Sequence, residues 1–73
     1  MSTSDAILAH CHPAWLKVAR VIWFAHRDLG LPDDEASHDL VALELGKLVQ
    51  AGILETVGHL SDWRHSEVRL ATT

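Results

Sequence analysis

Three neighbouring residues, His10, Cys11 and His12, carry side chains that bind transition-metal ions. In extended backbone, His10 and His12 point to the same side, so both could reach one ion. A complete site would need another ligand from elsewhere in the fold, for which the sequence offers three candidates: His59, His65 and Asp62. The spacing matches no known zinc module. The sequence therefore favours a polar segment before a helix, with a half-buried thiol, and we expect no metal site.

A second group of reactive side chains lies near the C-terminus and consists of Ser61, Asp62, His65 and Ser66. These are the residue types of a hydrolase triad, in which a histidine oriented by an acid activates a serine. A triad needs residues that converge from separated positions, whereas neighbours on a strand face opposite ways. A chain of 73 residues also has little room for a large cleft. We therefore expect no catalytic residue, no enzyme activity and no cofactor.

Basic side chains determine whether the chain can hold nucleic acid, and they are few. The chain has six Lys and Arg residues and ten Asp and Glu residues, and its net charge of −4 has the wrong sign for binding phosphates. A helix followed by a hairpin can enter a major groove, and the polar residues available for that contact are Lys47, Gln50, Arg64 and Arg69. Asp39, Glu44 and the acidic run 33–35 lie beside them. A DNA-binding regulator is therefore the alternative interpretation.

Aromatic side chains on the first long predicted helix favour protein binding instead. Phe24 lies among the charged residues of that helix, four positions after Arg20 and three before Arg27. Leu16 and Trp23 lie at the edge of the same sector, so the helix carries more apolar surface than one small core can bury. Aromatic residues rimmed by arginine are typical of protein interfaces. We therefore predict that these five residues bind a protein partner or a second copy of the chain.

Two long helices are predicted to position these side chains. The first covers residues 14–29, after Pro13 and before Gly30. The second covers residues 38–51, with Ser37 as its N-cap and Gly52 after its end. His26, at the edge of the first helix's apolar face, and His38, at the start of the second helix, are interpreted as structural residues that form hydrogen bonds.

The remaining segments complete a fold that is mainly α-helical with a small C-terminal β-hairpin. Alternating apolar residues predict strands at 53–57 and 67–70, joined by a loop over 58–64 in which Trp63 covers the end of the core. Trp15 is also expected in the core. Residues 1–5 are small and polar and are predicted to be a flexible tail, and residues 6–73 form a single domain.

Sequence motifs at the helix–hairpin junction resemble two known groups of proteins. Leu45, Leu48 and Val49, followed by Gly52-Ile53-Leu54-Glu55, resemble the junction of recognition helix and wing in winged helix-turn-helix proteins. The longer string 45–70, which ends Ser-Glu-Val-Arg-Leu, resembles the C-terminal part of an uncharacterised bacterial domain of unknown function. The resemblance implies a winged-helix-like fold, and because no ligand or catalytic residue is established for that domain, it implies none here.

Composition indicates the cellular compartment of the chain. Cys11 is the only cysteine, so no intramolecular disulfide can form, as is usual in a reducing cytosol. No apolar run is long enough for a signal peptide or a membrane span, and we expect a cytoplasmic location and no membrane partner. A domain this short buries only about 60% of its unfolded surface, so a partner, a dimer or another staple would stabilise it.

Overall fold

In the computed structural model, which describes residues 2–71, three α-helices pack on one small antiparallel sheet. The elements follow one another as α1 (Thr3–Ala9), β1 (Leu16–Lys17), α2 (Val18–Asp28), α3 (Glu35–Gln50), β2 (Leu54–Val57), a 3₁₀ helix (Leu60–His65) and β3 (Glu67–Leu70). The predicted fold class, mainly helical with a small C-terminal hairpin, is confirmed. No helix among residues 2–71 is long and apolar enough to cross a membrane.

The N-terminal residues form α1, which corrects the flexible tail predicted over residues 1–5. The Ser2 hydroxyl accepts a hydrogen bond from the Asp5 amide at 3.1 Å, and the Asp5 carboxylate accepts one from the Ser2 amide at 3.4 Å. This reciprocal capping box stabilises the first turn of a helix. Ala6 and Ile7 then bury their side chains completely, which anchors the helix to the core. Met1 lies outside the described residues.

The first long predicted helix begins four residues later than expected, because its start is a strand. Leu16 and Lys17 form β1 and pair with Val68 and Glu67 of β3. The amide of Val18 donates to the carbonyl of Ser66 at 2.9 Å, which continues the pairing to the first residue of α2. Leu16 therefore lies in a strand and not on the helix that we predicted would carry it.

α3 starts three residues before the predicted helix, because its N-cap is Asp34 and not Ser37. The carboxylate of Asp34 accepts a hydrogen bond from the Ser37 amide at 2.8 Å. That bond stabilises the ionised carboxylate and holds the pKa of Asp34 below its usual value. α3 consequently includes His38 near its beginning and brings it close to the end of α2.

The sheet has the strand order β1-β3-β2, and its inner face closes the core against the helices. β3 is the central strand, and Val68 on it is completely buried. The loop predicted between the hairpin strands contains the 3₁₀ helix, and its Trp63 is 8% exposed, as expected for a residue that covers the core. The Trp63 indole N–H donates to the carboxylate of Asp39 at 3.4 Å, which ties this helix to α3.

Candidate protein-interaction surface

α2 presents an aromatic pair on its outer face. The rings of Trp23 and Phe24 meet edge to face with centroids 5.2 Å apart, an arrangement that aromatic rings favour. Trp23 is 47% exposed and Phe24 is half-buried. The pair therefore offers a large apolar surface in a defined geometry, since each ring limits the movement of the other.

Two arginines of the same helix lie over these rings. The guanidinium carbon of Arg27 is 4.8 Å from the centroid of Phe24 and 5.3 Å from that of Trp23. The guanidinium carbon of Arg20 is 5.6 Å from the centroid of Phe24. A cation over an aromatic face is attracted by the negative potential of the ring. Both arginines are thus held beside the apolar surface, where they form a positive rim, and the Nε atom of Arg27 also lies 3.8 Å from the Asp28 carboxylate.

His10 completes this arrangement from α1. Its ring stacks on Phe24 with centroids 5.2 Å apart and an angle of 22° between the planes. Its Nε2 atom is 2.6 Å from a carboxylate oxygen of Asp28, which fixes the ring in place. No sequence pattern indicates this role, because His10 precedes Phe24 by 14 residues and no periodicity connects α1 with α2.

Leu16 joins the surface from β1. Leu16, Arg20 and Phe24 line a small cavity of about 160 Å³ together with His10 and His12. Although Leu16 is not helical, its strand places it beside Arg20 and Phe24, two of the residues with which the sequence prediction grouped it. We call Leu16, Arg20, Trp23, Phe24 and Arg27 the aromatic–arginine patch.

Carboxylates lie beside the residues proposed for DNA binding. Their cations are paired with carboxylates: Lys47 with Glu44 at 3.0 Å, Arg64 with Glu35 at 3.6 Å, and Arg69 with Glu55 at 2.8 Å. The guanidinium carbons of Arg64 and Arg69 also lie over the rings of Trp63 and Trp15, at 4.2 Å and 4.5 Å. Gln50 is exposed at the end of α3. Lys47, Gln50 and Arg64 line one open groove between α3 and the 3₁₀ helix, but Glu35 and Asp39 line it too, so the groove has no excess of fixed positive charge.

α3 instead exposes two leucines among acidic residues. Leu40 is 61% exposed and Leu43 is 60% exposed, although both belong to the helix that closes the core. Asp39 and Glu44 are their neighbours in the sequence, and residues 33–50 contain five acidic residues against one lysine, which is the Lys47 that pairs with Glu44. We call Asp39, Leu40, Leu43 and Glu44 the acidic leucine face.

The side chains of the segment His10-Cys11-His12 have different surroundings. His10 is engaged with Phe24 and Asp28, while His12 is exposed. Cys11 is buried, and burial raises the pKa of its thiol to about 11, because a thiolate is poorly solvated there. Among residues 2–71, these side chains do not come together with His59, His65 or Asp62 as a group of three ligands.

The serine and histidine residues near the C-terminus form structural hydrogen bonds. His65 Nδ1 lies 2.9 Å from the Asp62 carboxylate on the exposed side of the 3₁₀ helix. The Ser66 hydroxyl is buried and its one proton is shared between the carbonyl oxygens of His59 and Asp62, at 2.9 and 3.0 Å. Ser66 therefore holds the turn of the hairpin together, and its hydroxyl is not directed at His65.

A different set of possible metal ligands meets where α2 is followed by α3. One ligand atom from each of His26, Asp33 and His38 lies within 4.8 Å of the others. The sequence did not indicate this group, because spacings of seven and five residues match no familiar module. The packing of α3 on α2 brings the His38 ring to that of His26, with centroids 4.5 Å apart.

Comparison with protein-family models, curated proteins and solved structures gives no match to this chain. Its function is therefore argued from the geometry of the surfaces described above.

Proposed function

We propose that this chain is a protein-interaction module that binds through the aromatic–arginine patch. The observation that carries the proposal is the contact of exposed Trp23 with half-buried Phe24, with Arg27 over both rings and Arg20 over Phe24. Tryptophan and arginine are enriched among the residues that contribute most to protein binding, since they bury a large area at a small cost in side-chain freedom. A patch in which the rings already hold the arginines in place needs little further ordering when it binds.

The charge of the patch indicates what it binds. Two copies of the patch cannot meet face to face favourably, because Arg20 and Arg27 would approach their own copies. An acidic surface with apolar side chains fits better, and the acidic leucine face is such a surface. We therefore propose that the patch of one molecule binds the acidic leucine face of a second. Such a contact joins two different surfaces, so it builds chains or rings and not a two-fold dimer.

A mixing experiment tests this mode of association. We expect the molar mass of the wild-type protein, measured by sedimentation over a range of concentrations, to rise with concentration. Phe24→Glu removes the patch and Leu43→Glu adds charge to the acidic leucine face, so each variant alone is expected to stay monomeric. An equimolar mixture of the two keeps one intact patch and one intact face, and it is expected to form a 1:1 dimer and nothing larger.

The control is Val57→Glu, which changes another exposed apolar residue, 57% exposed on β2, and is expected to associate like the wild type. Circular dichroism establishes that each variant is folded. If the wild type is monomeric at every concentration, self-association is wrong and a foreign acidic protein becomes the proposed partner. If Leu43→Glu associates normally while Phe24→Glu does not, the patch binds a surface other than α3.

A DNA-binding regulator is the second candidate, and the order of the elements supports it. A helix, a short strand, two helices and a hairpin follow one another, with α3 in the place of a recognition helix. The paired cations and the acidic residues of α3 weaken this candidate. Retention of labelled duplex DNA that falls steeply with rising salt would favour it, and no binding at low salt would remove it.

The proposal includes a cytoplasmic location. Its support is the single buried cysteine, Cys11, because small domains of oxidising compartments usually rely on disulfides.

A further inference from the structure

We propose that His26, Asp33 and His38 form a binding site for one divalent transition-metal ion of the zinc type. His26 lies in the last turn of α2, Asp33 in the connection that follows, and His38 near the start of α3. Their ligand atoms lie within 4.8 Å of one another. Two imidazoles and one carboxylate are a ligand set that Zn²⁺ accepts in proteins. The site is independent of the protein-binding function proposed above.

Two buried nitrogen atoms point to a missing ligand. The Nε2 atoms of His26 and His38 are both buried without a hydrogen-bond partner among residues 2–71. His26 is only 4% exposed, so bulk water does not compensate for the missing partner. Buried polar atoms without a partner are rare in folded proteins, and an unseen ion is one of their recognised causes. One ion bound to both atoms would satisfy them together.

The other nitrogen of His26 determines which tautomer is present. His26 Nδ1 lies 3.1 Å from the carbonyl oxygen of Trp23. A carbonyl oxygen only accepts hydrogen bonds, so Nδ1 carries the proton and donates it. In the neutral imidazole, Nε2 then holds a free electron pair. Histidines that bind metals are usually fixed in this way, with the second ring nitrogen donating to a carbonyl or a carboxylate.

One pair of the three ligand atoms already has the spacing of a tetrahedral site, and the others lie within 4.8 Å of one another. His38 Nε2 and Asp33 Oδ1 are 3.3 Å apart. Two ligands at zinc bond lengths of about 2.0 to 2.2 Å are separated by roughly 3.4 Å when the geometry is tetrahedral. An ion pair between His38 and Asp33 would explain this distance alone, but it would leave His26 Nε2 without a partner. The Asp33 side chain is 80% exposed, so the fourth position can be taken by water.

A bound ion would join the end of α2 to the beginning of α3. These are the two helices that carry the aromatic–arginine patch and the acidic leucine face. A domain of 73 residues has a small core and no disulfide among residues 2–71, so a metal that binds the folded state alone raises its stability. A metal at this site would therefore supply the additional stabilisation of the folded state that a chain this short needs.

Metal binding is tested on protein without a histidine tag, treated with a chelator and then dialysed. Zn²⁺ is titrated calorimetrically, and Co²⁺ is titrated while the visible absorption of four-coordinate cobalt is recorded. We expect one equivalent of either ion to bind, the ion to survive dialysis, and Zn²⁺ to raise the Tm. The absence of stoichiometric metal in the wild-type protein overturns the proposal.

Two variants and one control locate the ion. Asp33→Ala removes an exposed ligand and His38→Gln removes a second, and each is expected to weaken Zn²⁺ binding at least about tenfold, the lower end of what loss of a supporting partner costs. His65→Gln is the matched control, because His65 and Asp62 form an exposed pair at 2.9 Å that lacks a third ligand. Circular dichroism confirms folding. The assignment is overturned if folded Asp33→Ala and His38→Gln bind Zn²⁺ as tightly as the wild type. It is also overturned if His65→Gln loses Zn²⁺ binding.

Discussion

Phe24 is stabilised in its half-buried position by the polar side chains around it. A phenylalanine among charged helix residues would normally be unfavourable, yet Arg20, Arg27 and His10 all contact its ring. Each exposed cation–aromatic contact contributes about 0.5 to 1 kcal/mol, so the arginines stabilise the folded chain as well as shape the patch. The composition of the patch was predicted from the sequence. The contribution of His10 was not, because it depends on how α1 packs.

Cys11 provides a prediction at the residue scale. A thiol pKa of about 11, in place of its ordinary 9.0, lowers the thiolate fraction at about pH 8 roughly 100-fold. Alkylation of the folded protein by iodoacetamide is therefore expected to be slower by about that factor than alkylation in guanidinium chloride. Cys11 is the only cysteine, so mass spectrometry reports it without ambiguity. Equal rates in the folded and unfolded states would contradict the burial of this thiol.

The same pKa has a consequence for stability. The thiol pKa is higher in the folded state, so the folded protein holds this proton more tightly than the unfolded chain does. The stabilisation is complete below about pH 9 and is lost as the pH rises towards 11. Chemical denaturation across this interval is expected to show it, and Cys11→Ala, which has no proton to lose, is expected to remove that part of the pH dependence.

At the scale of elements, the sequence predicted what periodicity and caps encode and missed what depends on tertiary contacts. The bounds of β3 and the approximate positions of α2, α3 and β2 follow from apolar repeats and from Gly30 and Gly52. β1 is only two residues long and exists because β3 pairs with it, so no local pattern shows it. α1 is short, and its polar capping residues, Ser2 and Asp5, resemble those of a disordered tail.

Two glycines provide a prediction, Gly52 between α3 and β2 and Gly58 at the start of the hairpin connection. Gly52 and Gly58 both have positive φ values, +79° and +94°, at which an L-residue is strained. A Cβ atom at Gly52 meets nothing within 4 Å, whereas one at Gly58 would lie 3.0 Å from the Ser66 hydroxyl oxygen. The one proton of that hydroxyl is shared between two carbonyl oxygens of the hairpin connection. Gly58→Ala therefore adds a steric conflict to the backbone strain.

We expect Gly52→Ala to lower the free energy of unfolding by about 1 to 2 kcal/mol, from the backbone strain alone. Gly58→Ala is expected to cost at least about 1 kcal/mol more, because Ser66 must move. Urea denaturation measures both values. Equal losses would show that the Ser66 hydrogen bonds contribute little to the hairpin.

At the scale of the whole molecule, charge is distributed unevenly along the chain. Residues 33–50 contain five acids and one lysine, whereas residues 10–28 contain three basic residues and one acid. The net charge of −4 conceals this separation. A chain with one acidic and one basic surface has the charge complementarity to bind a second copy of itself, provided that both surfaces also carry apolar side chains. Trp23 on one and Leu43 on the other meet that condition.

This separation predicts that association weakens as salt is added. The attraction between the two surfaces is screened as the Debye length falls from about 10 Å at 0.1 M salt to about 3 Å at 1 M. We expect the sedimentation Kd to rise several-fold over that range. The double variant Arg20→Gln, Arg27→Gln keeps both aromatic rings but loses the positive rim, so it should associate more weakly and with a flatter dependence on salt. Association that strengthens with salt would show that apolar contact alone holds the molecules together, and the acidic leucine face would then lose its role as the complementary surface.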